Sequence, residues 1–479
     1  MIALKKGVPR IHYYNQDFVD VYVRSWNLID SNWVRGTKES GMDTTMFHDK
    51  NHDELSIVKA CFSSFYLVYS NRVYSSSATL DVFYSKQESS GAIRSCYSLS
   101  TGEPILKEDN PLGLCPPIFS WVEYDIYHKN GAKKRVKDVL PILNDYFNWL
   151  DQVAFDETIG LYHAPLAATM MPDCKPRKNA VYMVDFNCQQ ALNALYMSYL
   201  ADIMNDKELS FRYKKRYFML KTKINAMMWN EGVGFYYDLD EDAVQIPART
   251  LAAYWALLAE LPTEENADRL IQHLHDEKGF ATLNPFPSIA VDEEHFSLNG
   301  NGFNGGVYPE LTYMVIKGLE KFKKFEFARE AAAKHIYFIL DRLHLEGDET
   351  GHFWSCYQPM SDGIAHVGDG DVNLNTKDDL SMVCLATITL MIENIVGLII
   401  SLPRKTVDWI VPTLELMGIE NLSLKRNTIS ILCVKNHRQS WEIRLKSEKL
   451  YYFTVNLVKV KKKTLPIPSG QCSMLIEKL

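Results

Sequence analysis

What most constrains this chain is the number of helix-period segments it carries in near-unbroken succession. From Asn15, a residue suited to capping, the side chains of Phe18, Tyr22, Trp26, Ile29 and Trp33 recur every three or four positions until Gly36. Comparable stretches follow over 55–69, 76–87, 116–129, 134–153, 183–204, 207–230, 247–261, 265–275, 307–323, 326–345, 380–402 and 405–417. About a dozen helices in hairpin-like succession is what six inner and six outer helices require. The expected fold is therefore an all-α, (α/α)6 toroid over 1–419. Beyond residue 420 the period changes to two. Thr428–Val434, Trp441–Leu445 and Tyr451–Val455 are β-branched and aromatic, and predict a small β-rich cap over 420–479.

Composition removes several classes of function. The chain has 59 acidic and 52 basic residues, a net charge of -7. Phosphate binding needs a clustered basic surface, so no nucleic-acid partner is expected. The one basic run, Lys459 to Lys463, reads as a solvated strand end. Nine cysteines lie scattered without a CxxC pair and read as reduced thiols. The residues after Met1 hold no apolar run of signal-peptide length. The longest apolar stretch, Leu380 to Leu402, carries Glu393 and Asn394, and an ionised carboxylate at mid-bilayer is costly. That segment is expected to be a buried barrel helix, without a membrane partner, in a cytoplasmic protein. His163, His295, His352 and His366 show no HxxxH or HxH spacing, and His273 and His275 would not share a helix face. No phosphate-binding or nucleophile-elbow motif is present either, so no metal or organic cofactor is expected.

The connections over 88–115, 154–182, 276–306 and 346–378 are long for a helical bundle. Long ordered loops on a rigid scaffold usually carry the site. Here they and the adjoining helix starts concentrate aromatic, carboxylate and glycine residues. The segments are Leu80–Gln87, Pro116–Glu123, Pro172–Arg177, Val184–Gln190, Trp229–Asp238, Gly305–Tyr313 and Phe353–Pro359. Aromatic faces for stacking and paired carboxylates for bond cleavage are what a sugar site needs.

In order and spacing these segments resemble the mannosylglycerate-hydrolase-like and trehalase-like glycosidases of families 63 and 37, over about residues 55 to 460. Leu80 to Gln87 resembles the family's LDNFYxKQ element, Trp229 to Asp238 its WxDxxGFYYD, and Tyr313 to Glu320 its YMVIxGLExY. The resemblance implies an inverting hydrolase of small α-glycosides, glucosides or mannosides, with one carboxylic acid and one carboxylate base. Met171-Pro172-Asp173-Cys174-Lys175-Pro176-Arg177 is similar to the element that carries the acid. It implies Asp173 as the acid, with Arg177 orienting it or contacting sugar. The element that supplies the base reads Trp354-Ser355-Cys356-Tyr357-Gln358-Pro359, with Ser355 where glutamate is expected. A serine hydroxyl is not a base near neutral pH without a partner to take its proton. Glu310, Asp362 and Asp369 are candidate substitutes. Asp81, Tyr84, Gln87, Trp121, Asp185, Gln189, Tyr308, Trp354 and Tyr357 are the implied substrate contacts, and Glu123 begins an inner helix where it either lines the pocket or caps. Several pocket positions depart from the pattern: Val82 replaces an asparagine, and Gly302-Phe303-Asn304-Gly305-Gly306-Val307-Tyr308 lacks two tryptophans and an arginine. Two outcomes stay open: a hydrolase with a relocated base, or a descendant that binds carbohydrate with little or no turnover. An unrelated toroidal lyase or isomerase of sugars is a third class, which nothing in the motifs spells.

Overall fold

Asn15 opens helix α1 (Gln16–Ser31) by accepting the Asp17 N–H at 3.0 Å, and Phe18, Tyr22, Trp26 and Ile29 form its buried stripe. The computed structural model describes residues 4–50, 52–345, 352–368, 371–377, 380–457, 461–467 and 470–476. Helices α2 (Ile57–Leu67), α3 (Ala78–Ser85), α4 (Phe119–Asn130) and α5 (Lys133–Ala154) come next. They are followed by α6 (Val184–Ile203), α7 (Lys207–Met227), α8 (Trp255–Leu258, led in by a 3-10 turn over Leu251–Tyr254) and α9 (Glu264–His275). Last come α10 (Pro309–Lys321), α11 (Phe325–Leu345) and α12 (Leu380–Cys384), which runs on as a π-helix over Leu385–Ile395.

Burial separates two rings. Helix α6 is buried on nearly every side, whereas its neighbour α7 buries only Ser210, Tyr213, Tyr217, Leu220 and Ile224 along one stripe. The even-numbered helices pack in a closed ring, α2 against α4, α6, α8, α10, α12 and back to α2, with the odd-numbered ones outside. This is the expected toroid. Along its axis Trp121 packs against Phe62, Phe65, Trp255 and Tyr313, with ring centroids 4.5–6.5 Å apart. This aromatic plug divides the interior into two ends.

The β region is larger than expected. The barrel's last helix stops at Ile395, and Gly397 turns the chain at φ +87°, where any Cβ would strike the Ile410 carbonyl. Strands follow at once, so the expected helix over 405–417 is absent and the β region begins at Leu398, not at 420. One sheet orders Leu398–Ser401, Thr406–Val411, Tyr451–Leu457 and Lys461–Ile467, with the middle pair parallel. The other is antiparallel and orders Arg10–Tyr13, Met417–Leu424, Asn427–Lys435, Trp441–Ser447 and Gly470–Ile476. Alternate residues such as Ile429, Ile431, Cys433, Phe453 and Val455 are buried. The N-terminal strand, which the sequence reading missed, zips this region to the start of the chain. The expected toroid with a small C-terminal β appendage is therefore corrected in the extent of its β part, which forms two sheets. Among the described residues no helix is long and apolar enough to cross a membrane.

Candidate active site

The N-terminal ends of the inner helices carry the long loops, and these loops bring part of the expected constellation together. Tyr308 caps α10, Pro309 takes the first helical position, and Glu310 falls in the first turn, where a carboxylate is favoured by the helix dipole. The Tyr308 ring stacks on Phe303 with centroids 4.2 Å apart. Its hydroxyl is raised well above its ordinary range by burial first, then by Cys356 and the negative charges of Glu310 and Asp173. Both carboxylates thus act electrostatically on one phenol. Glu310 is buried, and Asp173 is exposed on the rim.

Asn304 positions the loop that carries Asp173. Its amide oxygen accepts the Lys175 N–H at 2.9 Å, and its amide nitrogen donates to the Asp173 carbonyl at 3.4 Å. Of the two roles expected for Arg177, orienting the loop or contacting sugar, its burial leaves the first. It is fully buried, and its guanidinium is bidentate to Asp185 (2.6 and 3.1 Å) and bonded twice to Asp238 (2.8 and 3.0 Å). Burial alone would lower its pKa, but the two carboxylates outweigh that and drive it upward. Asp185 is spent in this triad and does not face a ligand.

Ser355 is spent as well. Its hydroxyl donates to Asn375 Oδ1 at 2.8 Å and accepts the Thr376 N–H at 3.1 Å. The buried Asn375 amide also accepts from Cys356 N and donates to the carbonyls of Cys356 and Ala365. The segment then runs beside Val307, which exchanges two backbone hydrogen bonds of 2.9 Å with Tyr357. A Cβ on Gly306 would collide with Cys356 Sγ, so the close approach needs glycine there. Tyr357 is buried and accepts the Trp354 N–H, which makes it a loop brace, while Trp354 stands half-buried beside it. Asn375→Ala should cost about 1–3 kcal/mol, because it strands buried backbone groups. Urea unfolding, read beside Asn375→Asp, measures it.

The remaining expected residues lie elsewhere. Asp81, Tyr84 and Gln87 belong to the outer α3 or the turn after it. Asp81 pairs with Arg135 at 2.7 Å, and Tyr84 donates to Glu123 at 2.9 Å. Gln87 ties the carbonyls of Gly91 and Ile142. Glu123 is buried in a two-point pair with Arg135, a structural role. Trp121 is part of the aromatic plug. Asp362 is exposed in a surface turn, and Asp369 lies outside the described residues. Gln189 keeps its expected place on the inner α6. It is fully buried, and neither of its amide atoms has a hydrogen-bond partner among the described residues. The Thr312 hydroxyl on α10 and the Trp255 indole N–H on α8 share that condition. Buried polar groups are paired in the great majority of cases, and these three belong to neighbouring inner helices. The sequence marks Phe303 and Asn304 only as departures from the family pattern, and it gives no sign of Asn375 beyond its place in a long loop. Among the described residues no group of three or more metal-ligating side chains assembles.

His335 on α11 braces the same end: its Nδ1 lies 3.0 Å from Asn284 Oδ1, and Asn284 in turn holds Gln358 and Pro359. Burial pushes His335 down to about 3. The unfolded imidazole takes up its proton near pH 6.5, so this stability is complete above 6.5 and drains away as pH falls toward 3. Urea midpoints should fall between pH 7 and pH 5, with a shallower fall in His335→Leu.

Comparison with known proteins fits this fold. The family model of the mannosylglycerate hydrolase MGH1-like glycoside hydrolase domain matches residues 33–369, and that of the trehalase C-terminal domain matches 397–479. An uncharacterized protein of Borreliella burgdorferi is 46% identical over 479 residues, spanning 99% of this chain and 100% of its own. The solved GH63 mannosylglycerate hydrolase from Thermus thermophilus, in complex with glucose, is similar at TM-score 0.60 and 16% identity, over 77% of this chain and 99% of that one. Neutral trehalase from Saccharomyces cerevisiae is similar at TM-score 0.56 and 11% identity, over 75% and 76%.

Proposed function

Since the chain belongs to the mannosylglycerate hydrolase MGH1-like glycoside hydrolases and ends in a trehalase-type domain, we propose that it hydrolyses small α-glucosides or α-mannosides with inversion. Asp173 protonates the leaving oxygen from the rim. Glu310, instead of Ser355, takes the proton of the attacking water from below. An inverting pair needs a gap of ~6.5–9.5 Å between carboxyl groups to admit that water. A carboxyl pair of this kind needs no metal or organic cofactor. Tyr308 and Trp354 offer aromatic surface to the sugar, and Gln189, Thr312 and Trp255 receive its hydroxyls.

The observation that carries this reading is Gln189. A buried amide with no partner costs stability, about 1–3 kcal/mol, and such a cost is tolerated where a ligand supplies the partners. Gln189→Leu should therefore raise the unfolding midpoint while lowering kcat/KM about tenfold on aryl α-glucosides or α-mannosides. A variant that gains stability and loses no activity would remove Gln189 from the site. A second reading, sugar binding without turnover, draws on the Ser355–Asn375 clamp, which uses for loop structure the position that the motif gives to the base. Calorimetric sugar binding without release of product by the wild type would favour it.

A further inference from the structure

A second polar cluster lies at the opposite end of the toroid, below the aromatic plug, where it lines a cavity of about 410 Å³. Its floor is made by the C-terminal halves of the inner helices. Glu393 accepts from both Lys129 and Lys317 at 2.6 Å, and the Tyr69 hydroxyl donates to it as well. Lys129 also reaches Asp125 at 2.9 Å, and Asn394 links Lys317 to Glu320. The three central side chains, Lys129, Lys317 and Glu393, are 8%, 10% and 13% exposed. One wall is aromatic: Tyr124 and Tyr196, with centroids 5.0 Å apart. The facing wall is apolar and comes from the β region, through Leu398, Ile399, Ile400 and Ile410.

Ion pairs that only brace helices need no adjoining space. This cluster has donors and acceptors held rigid at the wall of a cavity of ligand size, within the ~300–1,000 Å³ typical of small-molecule sites. The lining carries three carboxylates and four cations, and one of those cations, Lys321, is already neutralised by Glu260 at 2.8 Å. Charge is therefore balanced, so an ionic ligand gains no net attraction. Fixed pairs that both donate and accept, beside tyrosine faces, suit a neutral molecule rich in hydroxyl groups. We propose that this cavity is a second carbohydrate site, separate from the catalytic mouth, with the first β hairpin of the C-terminal region as its outer wall. It goes beyond the hydrolytic reading and does not depend on it.

The test is calorimetry on the full chain with D-glucose, D-mannose and maltose. Tyr124→Ala removes the half-buried stacking face, and Ile399→Trp fills the space from a half-exposed position; neither touches the catalytic mouth. Both variants should unfold like wild type and keep its hydrolytic rate, yet lose one class of sugar binding by about tenfold or more. Asp173→Asn and Gln189→Leu should retain that class. Wild-type titration curves in both cavity variants would overturn the proposal. So would sugar heats that vanish only in the mouth variants, or no sugar heat in any form. Failure of hydrolysis with cavity binding intact would count against the catalytic reading alone.

Discussion

Arg177→Met should destabilise the chain by at least about 3–5 kcal/mol, enough to leave much of it unfolded at 37 °C. Removal of the guanidinium strands Asp185 and Asp238, both buried, without their countercharge. Each carboxylate keeps one backbone donor, Phe186 N–H for Asp185 and Val184 N–H for Asp238, and the N-terminus of α6 helps further. These groups offset a minor part of the loss. Arg177→Lys preserves charge but not the planar fork, so it should fall between the two. The triple variant with Asp185→Asn and Asp238→Asn removes the stranded charges and should recover part of the stability. Urea unfolding of the four proteins measures the series. A loss below about 1 kcal/mol in Arg177→Met would mean that the triad does not hold the acid loop in place.

Asp173→Asn should have the opposite profile, a large loss of turnover with almost none of stability. The carboxyl is exposed on the rim, and the loop is held through the Asp173 carbonyl, Lys175 and Arg177, not through the acid side chain. Substitution there should shift stability by no more than about 0.5 kcal/mol. Loss of a transferable proton should reduce kcat by ~10²–10⁴ with KM little changed. Glu310→Gln should give a loss of similar size, since in the proposed mechanism it removes the base and not the binding surface. Steady-state kinetics on both variants, with midpoints recorded beside them, separates chemistry from folding.

The helical part of this fold was legible because burial writes its period into the sequence. The stripe of α1 and the nearly all-buried α6 both read correctly, and their alternation gave the toroid. The start of the β region did not read. Leu398–Ser401 and Trp409–Val411 are short apolar runs, and such runs do not distinguish a buried strand from the end of a buried helix. The pairing of Arg10–Tyr13 with Met417–Leu424 joins residues some four hundred positions apart, which no local pattern encodes.

The site was legible where a motif fixed a loop and illegible where chemistry depended on which way a side chain turned. Tyr308, Glu310 and Gln189 lie at or near the starts of inner helices, and Asp173 lies in the loop that leads into one. Asp81 and Gln87 have the same chemistry and lie on the outer ring, because order along the chain says nothing about helix face. Asp185 reads as a ligand contact in the sequence, whereas the Arg177 guanidinium bridges it to Asp238, 61 residues from Arg177. Ser355 raised the correct question at the sequence level. Its hydroxyl is held by Asn375, 20 residues on, a contact that no motif at Ser355 spells.

The most direct test of the inverting Asp173–Glu310 assignment is proton NMR of wild-type enzyme acting on an aryl α-D-glucoside and an aryl α-D-mannoside, with spectra taken before mutarotation. Water activated by Glu310 attacks the face opposite the leaving group, so the β anomer should appear first and the α anomer only as equilibrium is approached. First appearance of the α anomer, or no release of either sugar above the enzyme-free rate, would contradict it.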